Sequence, residues 1–352
     1  MKELLLSPQA VTLYTIVAIV NALLAGVALM TWVERRVSAV IQFRWGPNRV
    51  GPAGLLQPLA DGIKFITKEE VIPRDAFRVI FVLAPALAMV TALCAFSVIP
   101  IGPTLEILGR KVPLVIVDVD GGILLALAAA SLGVYGIVCA GWASNSKYSL
   151  MGGLRASAQM ISYELPLVLS VIGVILISGT LRPLEIVERQ AGWFWNWNVF
   201  GGWQLLGFLI FLVAGYAETN RLPFDLPEAE SELVAGYHTE YSSMKFSMFF
   251  MAEYVNMMTS SALAVTLFLG GYHTGLPLEE WGLSGWPLWL VEIGAFVFKV
   301  ACFLFLYVWV RWTLPRFRYD QLMSLGWKRL FPLALANLLL AGVLSAFDWA
   351  GR

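Results

Sequence analysis

Residues 11–33 read Val-Thr-Leu-Tyr-Thr-Ile-Val-Ala-Ile-Val-Asn-Ala-Leu-Leu-Ala-Gly-Val-Ala-Leu-Met-Thr-Trp-Val, 23 residues without a charge. At about 1.5 Å per residue such a run makes a helix of about 34 Å, enough to cross the roughly 30 Å hydrocarbon core of a bilayer. Seven further apolar runs lie near 77–101, 121–143, 157–178, 203–218, 246–271, 288–311 and 330–347. This pattern predicts an all-α integral membrane protein: one membrane domain over 1–352, built as a bundle of eight transmembrane helices. Composition agrees, because 59% hydrophobic residues and 14% charged ones leave too little polar surface to coat a soluble globule. The formal net charge of zero gives no ground for a nucleic-acid partner. Cys94, Cys139 and Cys302 lie far apart inside apolar runs, which excludes a disulfide framework and a CxxC metal or iron–sulfur site. No metal or flavin is therefore expected on this chain, and a redox centre must belong to another. The N-terminus lacks the features of a cleaved signal peptide, so the first run is expected to be retained, and no internal repeat is visible.

The loops divide sharply by charge. Those at 34–78, 144–156, 219–245 and 311–329 hold 17 Lys and Arg residues, whereas the other side has only Lys2, Arg110, Lys111, Arg182, Arg189 and Arg352. The positive-inside bias then places both termini outside and the long charged loops in the cytoplasm. Trp193, Trp195, Trp197, Trp281 and Trp286 fall in the outer loops, where amphipathic rings suit the headgroup region. Within the first cytoplasmic loop, residues 54–67 carry Leu55, Leu56, Leu59, Ile63 and Ile66 at helical spacing, with Gln57, Asp61 and Lys64 off that stripe. An amphipathic interfacial helix is expected there. The preceding Gly46-Pro47-Asn48-Arg49-Val50-Gly51-Pro52 reads as a rigid turn, since its prolines remove the amide donors a phosphate loop needs.

Charges inside apolar runs are costly and point to cavities, partners or proton paths. Glu164 is nine residues from Arg155 and Glu253 eight from Lys245, which puts both about 12–14 Å inside the cytoplasmic boundary. Lys299 lies about 18 Å in from Arg311 and shares a helical face with Glu292. Pro166 frees a backbone carbonyl beside Glu164. Buried pairs that fix helix packing are the plainer reading. The acidic loop, 218–246, adds Glu218, Asp225, Glu228, Glu230, Glu232 and Glu240 against Arg221 and Lys245 alone. If the chain is helical from Leu226, Glu228 and Glu232 are i, i+4 neighbours that raise each other's pKa. Proton exchange near neutral pH and docking of a basic partner suit that composition equally.

Several motifs resemble one family. Glu34-Arg35-Arg36, the run Gln42 to Pro52, Gly54-Leu55-Leu56-Gln57-Pro58 with Asp61 and Lys64, and Thr67-Lys68-Glu69 form the first group. Gly141 to Tyr148, Leu154-Arg155-Ala156, Ala158 to Glu164, the acidic loop, Phe249 to Tyr254, and Pro315 to Gln321 follow in order. Together they resemble the H-type membrane subunit of respiratory complex I from about residue 30 to 332. That resemblance implies the heel of the membrane arm of an NADH:quinone oxidoreductase, beside other membrane-arm and peripheral-arm subunits. The substrate it implies is a quinone, ubiquinone or menaquinone, and the setting a bacterial inner membrane with its lipid. It further implies that Arg35, Arg36, Ala60, Asp61, Phe249 and Phe250 frame a quinone passage. Tyr163, Glu164, Glu218, Arg221, Asp225, Glu228, Glu230, Glu232, Glu240 and Glu253, with Lys299, would relay protons, and no residue of this chain would be catalytic in the redox step. The homologous subunit of a membrane-bound hydrogenase or a photosynthetic quinone reductase fits the same motifs. A stand-alone ion transporter would need the repeat that is missing.

Overall fold

The computed structural model describes residues 8–107, 110–201, 203–227, 230–278 and 284–350. Lys2, Arg352, Trp281 and Glu228 lie outside them, as do the side chains of Arg110, Lys111 and Glu230. In chain order the elements are α1 (Pro8–Ile41), α2 (Gln57–Thr67), α3 (Arg78–Phe96), β1 (Gly102–Ile107), β2 (Arg110–Leu114), α4 (Gly122–Ala143), α5 (Lys147–Ser178) and α6 (Pro183–Arg189). They continue with α7 (Leu205–Glu218), α8 (Glu230–Leu233), α9 (Ser243–Phe268), α10 (Trp286–Thr313), α11 (Tyr319–Ser324), a π-helical turn Leu325–Leu330 and α12 (Phe331–Ala350). A helix therefore stands at each of the eight expected apolar runs.

Among the described residues, six stretches are long and apolar enough to cross a membrane: Ala10–Ile41, Arg78–Phe96, Gly122–Ala143, Lys147–Ser178, Trp286–Thr313 and Tyr319–Phe347. The count of eight is thus not reached by length and composition. Helix α7 has 14 residues, about 21 Å, and α9 is long but carries Glu253, Asn256, Thr259, Ser260 and Ser261. Helix α9 is also the hub of the bundle, packing on α1, α3, α7 and α10, which lets it keep polar residues away from the periphery. Strict all-α is corrected too: β1 and β2 pair antiparallel, Gly102 opposite Leu114 and Leu105 opposite Val112. Gly102 lets this hairpin lie against α10, since a Cβ there would come within 2.7 Å of Ile293 Cγ1.

Packing runs α3 on α4, α4 on α5, and α5 on both α7 and α12, with α9 closing back onto α3. The core follows these seams: Phe81, Ile123, Tyr163, Val174, Phe211, Val255, Val265 and Phe268 are all buried. Small residues set the closest approaches; a Cβ on Gly141 would meet the Ser149 carbonyl oxygen at 2.5 Å, so α4 and α5 touch backbone to backbone. Helix α1 continues eight residues past the expected end of its span, because nothing from Glu34 to Ile41 breaks a helix; Phe43, with φ 53°, turns the chain. Glu34, Arg35 and Arg36 are thereby held on a rigid extension. The Gly46–Pro52 stretch is a turn, as expected: Gly54 has φ +76° and a Cβ there would sit 2.2 Å from the Pro47 carbonyl oxygen.

Candidate functional site

Charged side chains from four parts of the chain meet at one end of the bundle. Glu34 near the end of α1 accepts hydrogen bonds from Arg221 Nη1 at 2.8 Å, from Tyr254 Oη at 2.6 Å, and from Arg311 Nη1. Arg221 Nε also pairs with Glu253, and its guanidinium lies 4.6 Å from the Tyr254 ring centroid. Arg316 Nη2 donates to Asp225 Oδ2 at 2.9 Å. Burial lowers the basicity of Arg221, but Glu253 and Glu34 more than offset it and hold the group charged well above the usual guanidinium range. For Asp225 burial dominates the opposing pull of Arg316 and raises the pKa to about 6. The acidic loop is thus folded inward onto arginines. Gln159 on α5 organises it, donating through Nε2 to the Ala217 and Phe224 carbonyls at 2.8 Å and to Asn220 Oδ1 at 3.0 Å.

Deeper in the bundle, Glu164 accepts a hydrogen bond from Ser131 on α4 and lies near Glu218. Glu218 borders two small cavities. One of about 40 Å³ lies against Met160, Asn256, Thr259 and Ser260. The other, about 30 Å³, is bordered by both Glu218 and Glu253, with Thr219, Asn220, Asn256 and Phe249. Such volumes hold water when two or more polar partners line them, as they do here. Glu164, Glu218, Glu253 and the Glu34–Arg221 cluster therefore form a stepwise series of polar groups.

Around the first loop, Arg35 Nη1 donates to Asp61 Oδ2 at 2.6 Å, while Lys64 Nζ and Gln57 Nε2 reach Asp61 Oδ1 at 3.4 Å. Burial pushes the Asp61 carboxyl up, but Arg35 and Lys64 pull it below its ordinary range. Arg36 donates to the Pro47 carbonyl at 3.2 Å, fixing the turn. Ala60 is half-buried on α2 next to Asp61, and Leu59, Ile63 and Ile66 on the same helix are exposed. Helix α2 is tied to α9 where Ser243 Oγ donates to the Phe65 and Lys68 carbonyls. Phe249 is buried against Tyr237 and Tyr241, and Phe250 packs on Phe246 and His238, an aromatic cluster that meets α2 where Phe246 lies 6.2 Å from Phe65.

Other expected residues stand apart. Tyr163 is fully buried and spends its hydroxyl on the Leu322 carbonyl at 2.9 Å, packing α5 on α11. Glu232 is exposed and pairs with Arg155 at 2.7 Å, and Glu240 is half-buried in the turn before α9. Leu226 and Pro227 are turn and α8 begins at Glu230, which corrects the continuous helix from Leu226 on which a shared face for Glu228 and Glu232 depended. Lys299 is at the opposite, Trp-bearing end. Its ammonium donates to the carbonyls of Leu269, Gly271 and His273 just beyond the α9 C-terminus, over the Trp197 ring. Sixteen residues of α9 and its cap separate that point from Glu253, about 24 Å, too far for direct proton exchange. Sequence reasoning missed Glu34, Arg311, Arg316, Gln159 and Ser131 as site residues. Glu34, as the first charge after an uncharged span, and Gln159 and Arg316, inside the family-like motifs, carried a signal; Arg311 and Ser131 carried none.

The family model described as NADH dehydrogenase matches residues 14–342. The chain belongs to the NADH dehydrogenase family. Among its relatives, an H-type subunit of the NADH-quinone oxidoreductase of Koribacter versatilis is 53% identical, covering 96% of this chain and 97% of the relative. The H-type NADH-quinone oxidoreductase subunit of Deinococcus radiodurans is 53% identical over 97% of this chain and 85% of its own length. An H-type NADH-quinone oxidoreductase subunit of Solibacter usitatus is 48% identical over 98% and 99%. The Glu34–Arg221–Glu253 cluster and the Arg35–Asp61 pair both lie within the matched residues of this NADH dehydrogenase family chain.

Proposed function

We propose that this chain is the H-type membrane subunit of an NADH-quinone oxidoreductase, working beside other membrane-arm and peripheral-arm subunits. In this reading it forms part of the chamber for a ubiquinone or menaquinone and couples the reduction of that quinone to proton translocation. It spans a bacterial inner membrane eight times with both ends outside. Helix α9 packs on α1, α3, α7 and α10, so it does not need the apolarity of a lipid-facing span, and α7, short but apolar, turns the exposed Leu205, Leu206 and Leu209 outward. Exposed Leu59, Ile63 and Ile66 make α2 suited to lie at the interface.

The observation that carries this reading is the cavity bordered by both Glu218 and Glu253 beside Phe249. Reduction of a quinone takes two electrons and two protons into the headgroup. The electrons come from a partner subunit, since this sequence has no cysteine cluster. Asp61, held charged by Arg35 and Lys64, borders the headgroup's approach between α2 and α9. Proton uptake there changes the local charge next to the Glu34–Arg221–Asp225 cluster. Glu253 shares Arg221 with Glu34, so a charge change on the cluster shifts the proton affinity of Glu253, and the cavity passes that change to Glu218 and then Glu164. Lys299 closes the path at the Trp-bearing end, where it holds the α9 terminus in register. Glu228, Glu230, Glu232 and Glu240 would add further acidic groups to this relay, as the resemblance implies.

The test separates passage from assembly. Asp61→Asn in the assembled complex is expected to cut quinone reductase turnover severalfold while NADH oxidation by ferricyanide stays normal. Loss of both activities would mean failed assembly, and retention of both would remove Asp61 from the passage.

A further inference from the structure

A large apolar cleft lies away from the charged cluster. With a volume of about 390 Å³, it runs between α1, α9 and α10, walled by Gly26, Met30, Met258, Ala262, Phe296 and Val300 among others, every one of them apolar. That volume has room for many water molecules, yet a water needs two to four polar partners and no polar side chain lines the cleft. A void of that size would strip its lining of dispersion contacts on one side. Hydrocarbon is the filling that fits.

Shape decides what kind. The cleft follows α1 from Ile19 to Val33, about 21 Å of helix. The open space along it, about 1100 Å³, spread over that length gives a mean cross-section of at most about 50 Å². A helix from a partner subunit, 10–12 Å across, needs about 80–110 Å². The cleft is too narrow for a helix and wide enough for an alkyl chain. Its rims are Leu29, Val297 and Phe305, all exposed and all on helices long and apolar enough to span, so it opens sideways into the medium around the bundle. Small residues on two walls make the room. A Cβ on Gly26 would already come within 3.2 Å of Met258 Cε, and Ala301 faces it from α10.

We infer that this cleft is a binding site for one acyl chain of a bilayer phospholipid, which wedges between α1 and α10 and completes their packing. The site is distinct from the charged cluster and independent of the function proposed above. Its length, about 21 Å, is enough for a chain that reaches from one headgroup layer to the midplane, about half of the ~30 Å hydrocarbon core.

A phosphatidylethanolamine carrying a diazirine in one acyl chain tests this in the assembled complex. Illumination is expected to place adducts within residues 19–33 and 296–305, mapped by peptide mass spectrometry. Gly26→Leu and Ala301→Phe fill the cleft from opposite helices and are each expected to lower those adducts at least fivefold, while labelling elsewhere and quinone reductase turnover stay unchanged. Absence of adducts in these segments, or equal labelling in both variants, would overturn the proposal. So would displacement of the adducts by a long-chain quinone at concentrations where unlabelled phosphatidylethanolamine does not compete.

Discussion

Glu34 shows how one side chain holds the charged end together. It accepts from Arg221, Arg311 and Tyr254 while only 6% exposed, so its removal leaves two guanidinium groups short of a partner. Breaking a buried ion pair from one side costs about 3–5 kcal/mol, and Arg311 at 37% exposure recovers part of that from water. Glu34→Gln is therefore expected to lower the thermal stability of the complex measurably, and Glu34→Gln with Arg311→Gln to lower it less than the sum of the two single changes. Additive losses would dissociate Glu34 from Arg311. Asp225 carries a different signature. Its pKa of about 6 lies above the ordinary value of 3.8, so between those pH values the folded chain keeps a proton that the unfolded chain has lost. The stability this confers is complete below pH 3.8 and is lost as pH rises through 6. Asp225→Asn should equal the parent near pH 4 and exceed it at pH 7.5 by up to ~3 kcal/mol, at about 1.4 kcal/mol per pKa unit. Melting curves at the two pH values check this; a variant less stable at pH 7.5 would refute it. Glu164→Gln preserves shape and the Ser131 contact but cannot titrate, so under a relay it leaves assembly near normal and cuts quinone-dependent turnover severalfold.

Among the elements, the first loop was legible because its chemistry is local. Glycine and proline between Gly46 and Gly54 demand a turn, and the 3.6-residue recurrence of Leu59, Ile63 and Ile66 gives α2. Gly54→Ala is expected to cost at least the ~1–2 kcal/mol of left-handed strain and to displace the turn, since its Cβ would lie 2.2 Å from the Pro47 oxygen. Quinone reductase activity should fall with it while ferricyanide reduction is spared; normal quinone turnover would show that the turn does not position α2. The β1–β2 hairpin and the short α7 were harder to read. A five- or six-residue strand pair is stabilised by its partner and by Ile293 on α10, contacts that no local pattern announces.

For the whole molecule, the sequence has no clustered cysteines, and in the function proposed above a partner subunit delivers the electrons. The purified chain alone is expected to show no NADH:quinone turnover, and any such turnover would refute the division of labour proposed above. Hydropathy alone established the helical membrane class and the positions of eight helices, because the cost of exposing backbone or charge to hydrocarbon forces long uncharged runs into helices. Charge counts likewise marked one end of the bundle as polar. Which charges meet was decided only in three dimensions. Glu34 and Arg311 are 277 residues apart, and Tyr163 and Lys299 donate to the carbonyls of Leu322 and His273, partners far from them in the sequence. A buried ionisable group needs a partner, but sequence spacing identifies that partner only within one helix; across helices, the choice belongs to the packing of α1, α9 and α10 around the folded acidic loop.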